Sequence, residues 1–217
     1  MIVLAFDCST TGCAAAIMSG ADTLARGEAP AGLGQSEALM PLLHDVMDRA
    51  GLAWNQIGLI AVTVGPGSFT GLRIGLAAAR GLALTLNIPV AGVATPEALA
   101  AGVPADERGK RRVLVAIDSK RADLFVQTFD ARLVPTAPVA AMTLEAAARL
   151  LPAPLLVGDA APRLVPLIPD AILSRAPARP DPAALAALAA RRFAEGDGLP
   201  AEPIYLRPAD VTIAAAP

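Results

Sequence analysis

Two short stretches of this 217-residue chain combine residue types that could do chemistry. The first is Asp7-Cys8-Ser9-Thr10-Thr11-Gly12, a carboxylate followed by three hydroxyls in a polar turn. Hydroxyls and exposed amides in such a turn can cradle phosphate. The same residues also suit a capped hairpin turn that binds nothing. The second is Val62-Thr-Val-Gly-Pro-Gly-Ser-Phe-Thr-Gly-Leu-Arg-Ile-Gly75, a glycine-rich passage between an apolar run and a helical run. Strand, glycine turn and helix in that order is a common phosphate-binding arrangement.

The spacing of the second stretch excludes a P-loop. That motif needs four residues between two glycines and then Lys and Ser/Thr. Counting from Gly65 puts Thr70 at the second glycine, counting from Gly67 puts Leu72 there, and no lysine is near. A dinucleotide fingerprint fits weakly, because Thr70 replaces its third glycine and the strand is not the first of the chain. Packing is the third reading. Gly71, Gly75, Ala78 and Leu82, with Gly81 alongside, fall near one helical stripe, and small residues there let another helix come close. Gly75 and Gly81 each cost roughly 1 kcal/mol relative to alanine, so packing within the domain or against another subunit must offset them.

The remaining reactive residues do not assemble a site. The single histidine, His44, lies inside an amphipathic helical pattern. Cys8 and Cys13 are too few for a disulfide framework; they could face each other across a tight hairpin, but buried thiols are the favoured reading. With one histidine and two cysteines, a zinc or iron centre is not readily built, and no Ser/His/Asp set is evident.

Composition agrees with a well-filled globular core. Hydrophobic residues make up 54% of the chain, mean hydropathy is +0.53 and formal net charge is −2. The longest charge-free stretch, 50–72, carries Asn55, Gln56, Pro66 and five glycines, which a membrane-spanning helix would rarely combine. The start, MIVLAFD, lacks the basic region of a secretory leader. The expectation is a cytoplasmic protein without a membrane partner. A stand-alone nucleic-acid binder would show a stronger basic patch. The dense basic run at 107–112, ERGKRR, reads as a solvated linker, with a weak RNA contact as its alternative.

The elements that must position these residues follow from periodicity. Strands are expected over 2–6, 13–18 and 22–27, with a helix over 36–50 that Ser36 caps and Gly51 ends. A buried strand over 57–64, the glycine loop, a helix over 70–87, a strand over 90–93 and a helix over 96–101 follow. Residues 102–112 mix Gly, Pro and charge like a boundary. The pattern then restarts: strands over 113–117 and 124–129, a helix over 143–151, a strand over 155–157 and a helix over 183–195. VLAFDCSTTG is echoed by LVAIDSKRAD, so the halves 1–102 and 103–217 read as duplicates of one unit.

With these blocks in view, the chain resembles the bacterial TsaB (YeaZ) family. VTVGPGSFTGLRIGLAAARGLAL is the specific block; MIVLAFDCSTTG, QSEALMPLL, AIDSKRADLF and IYLRP support it in order. The resemblance implies an α/β fold of the actin/hexokinase/Hsp70-like (ASKHA) type, with two related lobes of mixed sheet flanked by helices. It implies a non-catalytic partner of the TsaD-like subunit that makes threonylcarbamoyladenosine at position 37 of tRNA. Further partners would be a TsaE-like ATPase, tRNA reached through the complex, and a second copy when the chain is alone. No cofactor of its own is implied; ATP or ADP would sit at the complex interface. Active relatives bind phosphate at the first turn and use its aspartate toward a metal, so Asp7, Ser9, Thr10 and Thr11 form a degenerate version of that turn. Catalytic relatives carry His-x-x-x-His after the next strand; here Thr95 and Leu99 stand at those places, and neither replaces imidazole. By the same resemblance, Leu39, Leu43 and Met47 of the first helix, with Gly71, Arg73, Gly75, Ala78 and Leu82 of the glycine helix, form the partner face. Gln35 replaces a histidine common in relatives, with an expected effect on that interface. The competing class is a free-standing nucleotide-dependent small-molecule kinase of the same superfamily, against which AIDSKRAD lacks a glycine-rich second phosphate turn.

Overall fold

The computed structural model describes residues 1–29 and 34–206. The chain opens as an antiparallel meander of β1 (Ile2–Asp7), β2 (Ala14–Ser19) and β3 (Asp22–Glu28). Helix α1 (Gln35–Ala50) leads to β4 (Leu59–Gly65), and α2 (Phe69–Leu86) leads to β5 (Val90–Ala94) and α3 (Thr95–Ala101). Strand order is β3-β2-β1-β4-β5, with β1, β4 and β5 parallel. The period-two alternation of β1 explains its central place. Leu4 and Phe6 join the core under α1 and α2, whereas Val3 and Ala5 join the core on the opposite face.

The second half repeats the plan. After the short α4 (Ala105–Arg108), strands β6 (Val113–Asp118), β7 (Leu124–Phe129) and β8 (Ala140–Met142) form another antiparallel meander. The single-turn α5 (Leu144–Ala147) precedes β9 (Leu155–Val157) and β10 (Ile172–Leu173), which run parallel to β6. The order β10-β9-β6-β7-β8 is the first sheet's order read from its other end. The duplication expected from the two echoing stretches is thus present in strand order and direction.

Helix α6 (Pro182–Glu195) starts at Asp181, whose carboxylate accepts from the amides of Ala183 and Ala184. It crosses back to the first sheet and buries Leu185, Ala186 and Ala189 with Val3, Ala5, Leu59 and Ala61. The following segment straps the same lobe: the Gly92 amide donates to the Leu199 carbonyl at 2.8 Å and the Ile204 amide to the Val64 carbonyl at 2.7 Å. This part of the 103–217 stretch therefore packs with the first half of the chain. Arg207 and Pro208 of the IYLRP block lie outside the described residues.

Three local expectations are corrected. The helix expected over 143–151 is a single turn, Leu144–Ala147, capped by Thr143. Pro152 follows closely and limits its extension. Helix α1 has Gly34, not Ser36, at its N-cap, and glycine offers no side chain to cap it; Gln35, the first helical residue, turns back toward the first hairpin. The stripe assigned to a partner is largely internal. Leu39, Leu43 and Met47 are fully buried in the core, and Gly71 and Gly75 face inward from α2. Amphipathic spacing marks the side that is covered, and here the chain's own sheet covers it.

Helix α2 is, by length and composition, apolar enough to cross a membrane, yet 33% of it is buried inside the protein. It packs chiefly on β4 and also on α1. Its glycines divide sharply by surroundings. A Cβ on Gly71 would stand 1.9 Å from the Cys8 carbonyl oxygen, whereas one on Gly81 meets nothing within 4 Å. Gly71→Ala is expected to destabilise the protein by about 2–3 kcal/mol through overpacking. Gly81→Ala should stabilise it by about 0.5–1 kcal/mol through helix propensity. Urea unfolding of the two variants beside the parent checks both signs.

Candidate functional site

The first turn is where β1, α1, β4 and the glycine loop meet. The Asp7 carboxylate ends β1 and is buried. One oxygen accepts from the Ser9 amide (2.9 Å), the Ser9 hydroxyl (2.5 Å) and the Thr63 hydroxyl (2.6 Å). The other lies 3.4 Å from the Thr10 hydroxyl. Burial holds this carboxyl above the usual carboxylate range, outweighing the hydrogen bonds from Ser9, Thr63 and Thr10 that favour its charged form.

Carbonyls of the same turn are taken from two sides. The Gln35 side-chain amide lies within donating distance of the carbonyls of Cys8 (2.9 Å), Thr10 (3.1 Å) and Gly12 (2.9 Å). The Ser68 amide of the glycine loop donates to the Ser9 carbonyl at 2.7 Å. Ser68 also caps α2 by accepting from the Gly71 amide. Gly67 has no room for a side chain, since a Cβ there would stand 2.2 Å from the Ser9 carbonyl oxygen. The glycines of this loop thus permit a backbone-to-backbone approach onto the first turn. Sequence reasoning missed the role of Gln35, which it placed toward an interface.

Asp7, Ser9 and Thr10 are therefore brought together, but their hydroxyls point at the carboxylate. This arrangement does not fit a divalent cation, because the donors already occupy the carboxylate and offer it hydrogens in place of metal-ligand lone pairs. Thr95 and Leu99 are both buried, and the Thr95 hydroxyl has no hydrogen-bond partner among the described residues. Among the described residues no group of three or more His, Cys, Asp or Glu side chains is placed to hold a metal ion. Cys8 and Cys13 are buried free thiols with their sulfurs in contact across the turn. Their shared hydrogen bond, with burial, pushes the Cys8 thiol up, while the bond from Cys8 draws Cys13 down. His44 is exposed on α1, edge-on to Trp54 with ring centroids 5.2 Å apart.

A cleft of about 590 Å³ separates the two turns. Ser9, Thr10 and Thr11 line one wall; Asp118, Ser119 and Lys120 line the other. Asp118 ends β6 as Asp7 ends β1, but it is paired with Lys120 at 2.9 Å. Burial acts to raise the Asp118 carboxyl, yet the Lys120 ammonium and amide hold it below the ordinary range. Asp159, whose carboxylate accepts from the Asp118 amide at 2.8 Å, is raised by burial and by the Asp118 charge. At the lip, the Arg73 guanidinium stacks 3.8 Å over the Phe69 ring and donates to the Tyr205 hydroxyl at 3.3 Å. Arg73 is thus exposed but held.

Two sheets of the same order, facing each other across a cleft framed by their equivalent turns, define a protein of the actin/hexokinase/Hsp70-like class. Comparison with known proteins narrows this. Residues 31–157, more than half of the chain, match the family described as "TsaD: tRNA N6-adenosine threonylcarbamoyltransferase". The "tRNA threonylcarbamoyladenosine biosynthesis protein TsaB" of Escherichia coli is 34% identical over 125 residues, 58% of this chain and 53% of that protein. An uncharacterized protein of Mycobacterium tuberculosis is 31% identical over 96% of this chain and 92% of its own length. The solved structure of YeaZ from Pseudomonas aeruginosa superposes with a TM-score of 0.79 at 27% identity, covering 94% of this chain and 99% of that one. The chain belongs to the TsaB/YeaZ family. Its match spans about half the length of the TsaB proteins of Escherichia coli and Haemophilus influenzae.

Asp7 gives a signed pH prediction. Its folded-state affinity for a proton exceeds that of the unfolded chain. Its contribution to stability therefore falls as pH rises from the ordinary carboxylate range through the raised value. Asp7→Asn removes that slope. Urea unfolding between about pH 4 and pH 8 should show a stability difference, parent minus Asp7→Asn, that declines with rising pH. A separate expectation concerns the turn itself: Gln35→Ala should cost about 1–3 kcal/mol by stripping donors from the turn carbonyls, read by the same unfolding curves.

Proposed function

We propose that the chain is the non-catalytic partner subunit of a TsaD-like catalytic protein in the modification of tRNA to threonylcarbamoyladenosine at A37. The observation that carries this reading is the uncovered outer side of α2. Leu84 is 84% exposed. Ala77 and Gly81 are exposed beside it, and Ile74, Ala78 and Leu82 are half-buried. Small residues along this line allow a partner's helix to approach closely. Helix α1 lies on the same face of the sheet and adds exposed Met40, Pro41 and His44. Arg73 and Arg80 lie on the outer side of α2, which favours a protein over lipid as its cover.

In this reading Arg73, Ala78 and Leu82 stay in the interface, with Ala77, Gly81 and Leu84 joining them. The inward Leu39, Leu43, Met47, Gly71 and Gly75 act by fixing the two helices. The same face pairs two copies of the chain when the catalytic partner is absent. A TsaE-like ATPase completes the assembly, tRNA is reached through the complex, and the whole works in the cytoplasm. The self-satisfied first turn supports a chain with no nucleotide of its own, leaving ATP or ADP to the junction with the catalytic subunit.

Leu84→Glu puts a charge on the most exposed large apolar residue of this face without touching the core. It should weaken association with the TsaD-like protein of the same organism by about tenfold or more while leaving the unfolding midpoint unchanged. Light scattering of the mixed proteins checks this. Unaltered assembly in Leu84→Glu removes the face from the proposal, and formation of the modified nucleoside by this chain alone overturns the non-catalytic role.

A further inference from the structure

A second cavity, about 510 Å³, opens where α3, α4, α6 and the turn after β7 converge, and it shares no lining residue with the interlobe cleft. Four arginines line it from three elements: Arg108 from α4, Arg132 from the turn after β7, and Arg191 and Arg192 from α6. The one acidic residue on its wall, Glu97, is consumed by Arg192, whose two terminal nitrogens meet the carboxylate at 2.7 Å each. Of the acids close by in the chain, Glu195 stands one helical turn beyond Arg191 on α6, and the others are held elsewhere. Asp106 and Glu107 turn to Arg175, and Asp130 accepts from the backbone amides of Arg132 and Val134. Among the described residues neither Arg132 nor Arg191 has an ion pair. The Nε of Arg108 is buried with no hydrogen-bond acceptor.

Arg108, Arg132 and Arg191 line one cavity without an ion pair among the described residues, and the orphaned buried N–H of Arg108 is costly. The rest of the wall, Ala101, Leu133, Val134, Ala184, Ala187 and Leu188, is apolar. An oxyanion would accept from that N–H and pair with the unpaired guanidinium groups, whose forks match phosphate geometry. We propose that this cavity is a binding site for a phosphate-bearing ligand, recognised by Arg108, Arg132 and Arg191. Its volume suits a nucleotide-sized group. The phosphate belongs either to a small phosphorylated molecule or to an RNA backbone, and the site stands independently of the partner face on α2.

The test uses the full chain alone. Calorimetric titration with inorganic pyrophosphate and with AMP probes the small-molecule source. Fluorescence anisotropy with a short labelled single-stranded RNA, at several salt concentrations, probes the backbone source. Each is repeated on an Arg132→Gln/Arg191→Gln double variant, whose sites are exposed and whose fold is checked by thermal melting, and on Arg73→Gln as a control at the other cleft. The expected result is saturable binding of at least one probe, weakened about tenfold or more in the double variant and unchanged in Arg73→Gln. Binding of pyrophosphate or AMP assigns a small ligand. Binding of RNA alone, with a salt slope shallower by about 1.4 in the double variant, assigns the backbone. No saturable binding of any probe, a smaller loss in the double variant, or an equal loss in Arg73→Gln overturns the proposal.

Discussion

The fold hinges on the satisfaction of one six-residue turn. Residues 7–12 expose a buried carboxylate and a run of backbone carbonyls where two lobes meet. Three elements distant in sequence supply the donors: Thr63 from β4, Gln35 from α1 and the Ser68 amide from the loop before α2. Two of these donors also stand at the entry of their elements. Gln35 starts α1, and Ser68 caps α2, so both helices leave the turn in fixed directions. Their outer sides are consequently presented as one surface. The hydroxyls of Ser9 and Thr63 and the amides that meet this turn are engaged within the protein itself.

Duplication explains both the likeness and the difference of the lobes. Both sheets have the same strand order, and Asp7 and Asp118 end the first strand of each. Yet the first aspartate is enclosed by hydroxyls, and the second is met by an ammonium and stands next to another acid, Asp159. The second lobe is also slighter. Its outer strands have three and two residues and its helix one turn. The robust lobe is the one that bears α1 and α2.

Much of this was readable in the residues. Period-two and three-to-four spacing marked the opening meander, α1, α2 and α6, since their apolar residues meet a single core. The echo of LVAIDSKRAD to VLAFDCSTTG carried the duplication. The short strands β8 and β10 were not readable, because two or three partly exposed residues establish no period. The inward placement of Leu39, Leu43, Met47, Gly71 and Gly75 was not readable for a physical reason: spacing identifies a covered side without naming the cover. Leu39, Leu43 and Met47 are covered by the sheet, and the exposed side of α2 carries Leu84 and Ala77. Gln35 was invisible as a turn-lock because its acceptors lie more than twenty residues away. Arg108 sat in a basic run that read as a linker, and only tertiary structure brings it to Arg132 and Arg191.

The return of α6 and its strap to the first sheet governs the order in which the protein can be completed at the ribosome. The face of that sheet formed by Val3, Ala5, Leu59 and Ala61 is covered by Leu185, Ala186 and Ala189. Those three residues are synthesised after nearly the entire second lobe. Throughout elongation the nascent first lobe therefore carries one finished face, under α1 and α2, and one bare apolar face. Closure of the molecule is a late event that joins its earliest strand to one of its last helices. A truncated chain lacking the final quarter would expose the centre of its best-formed sheet.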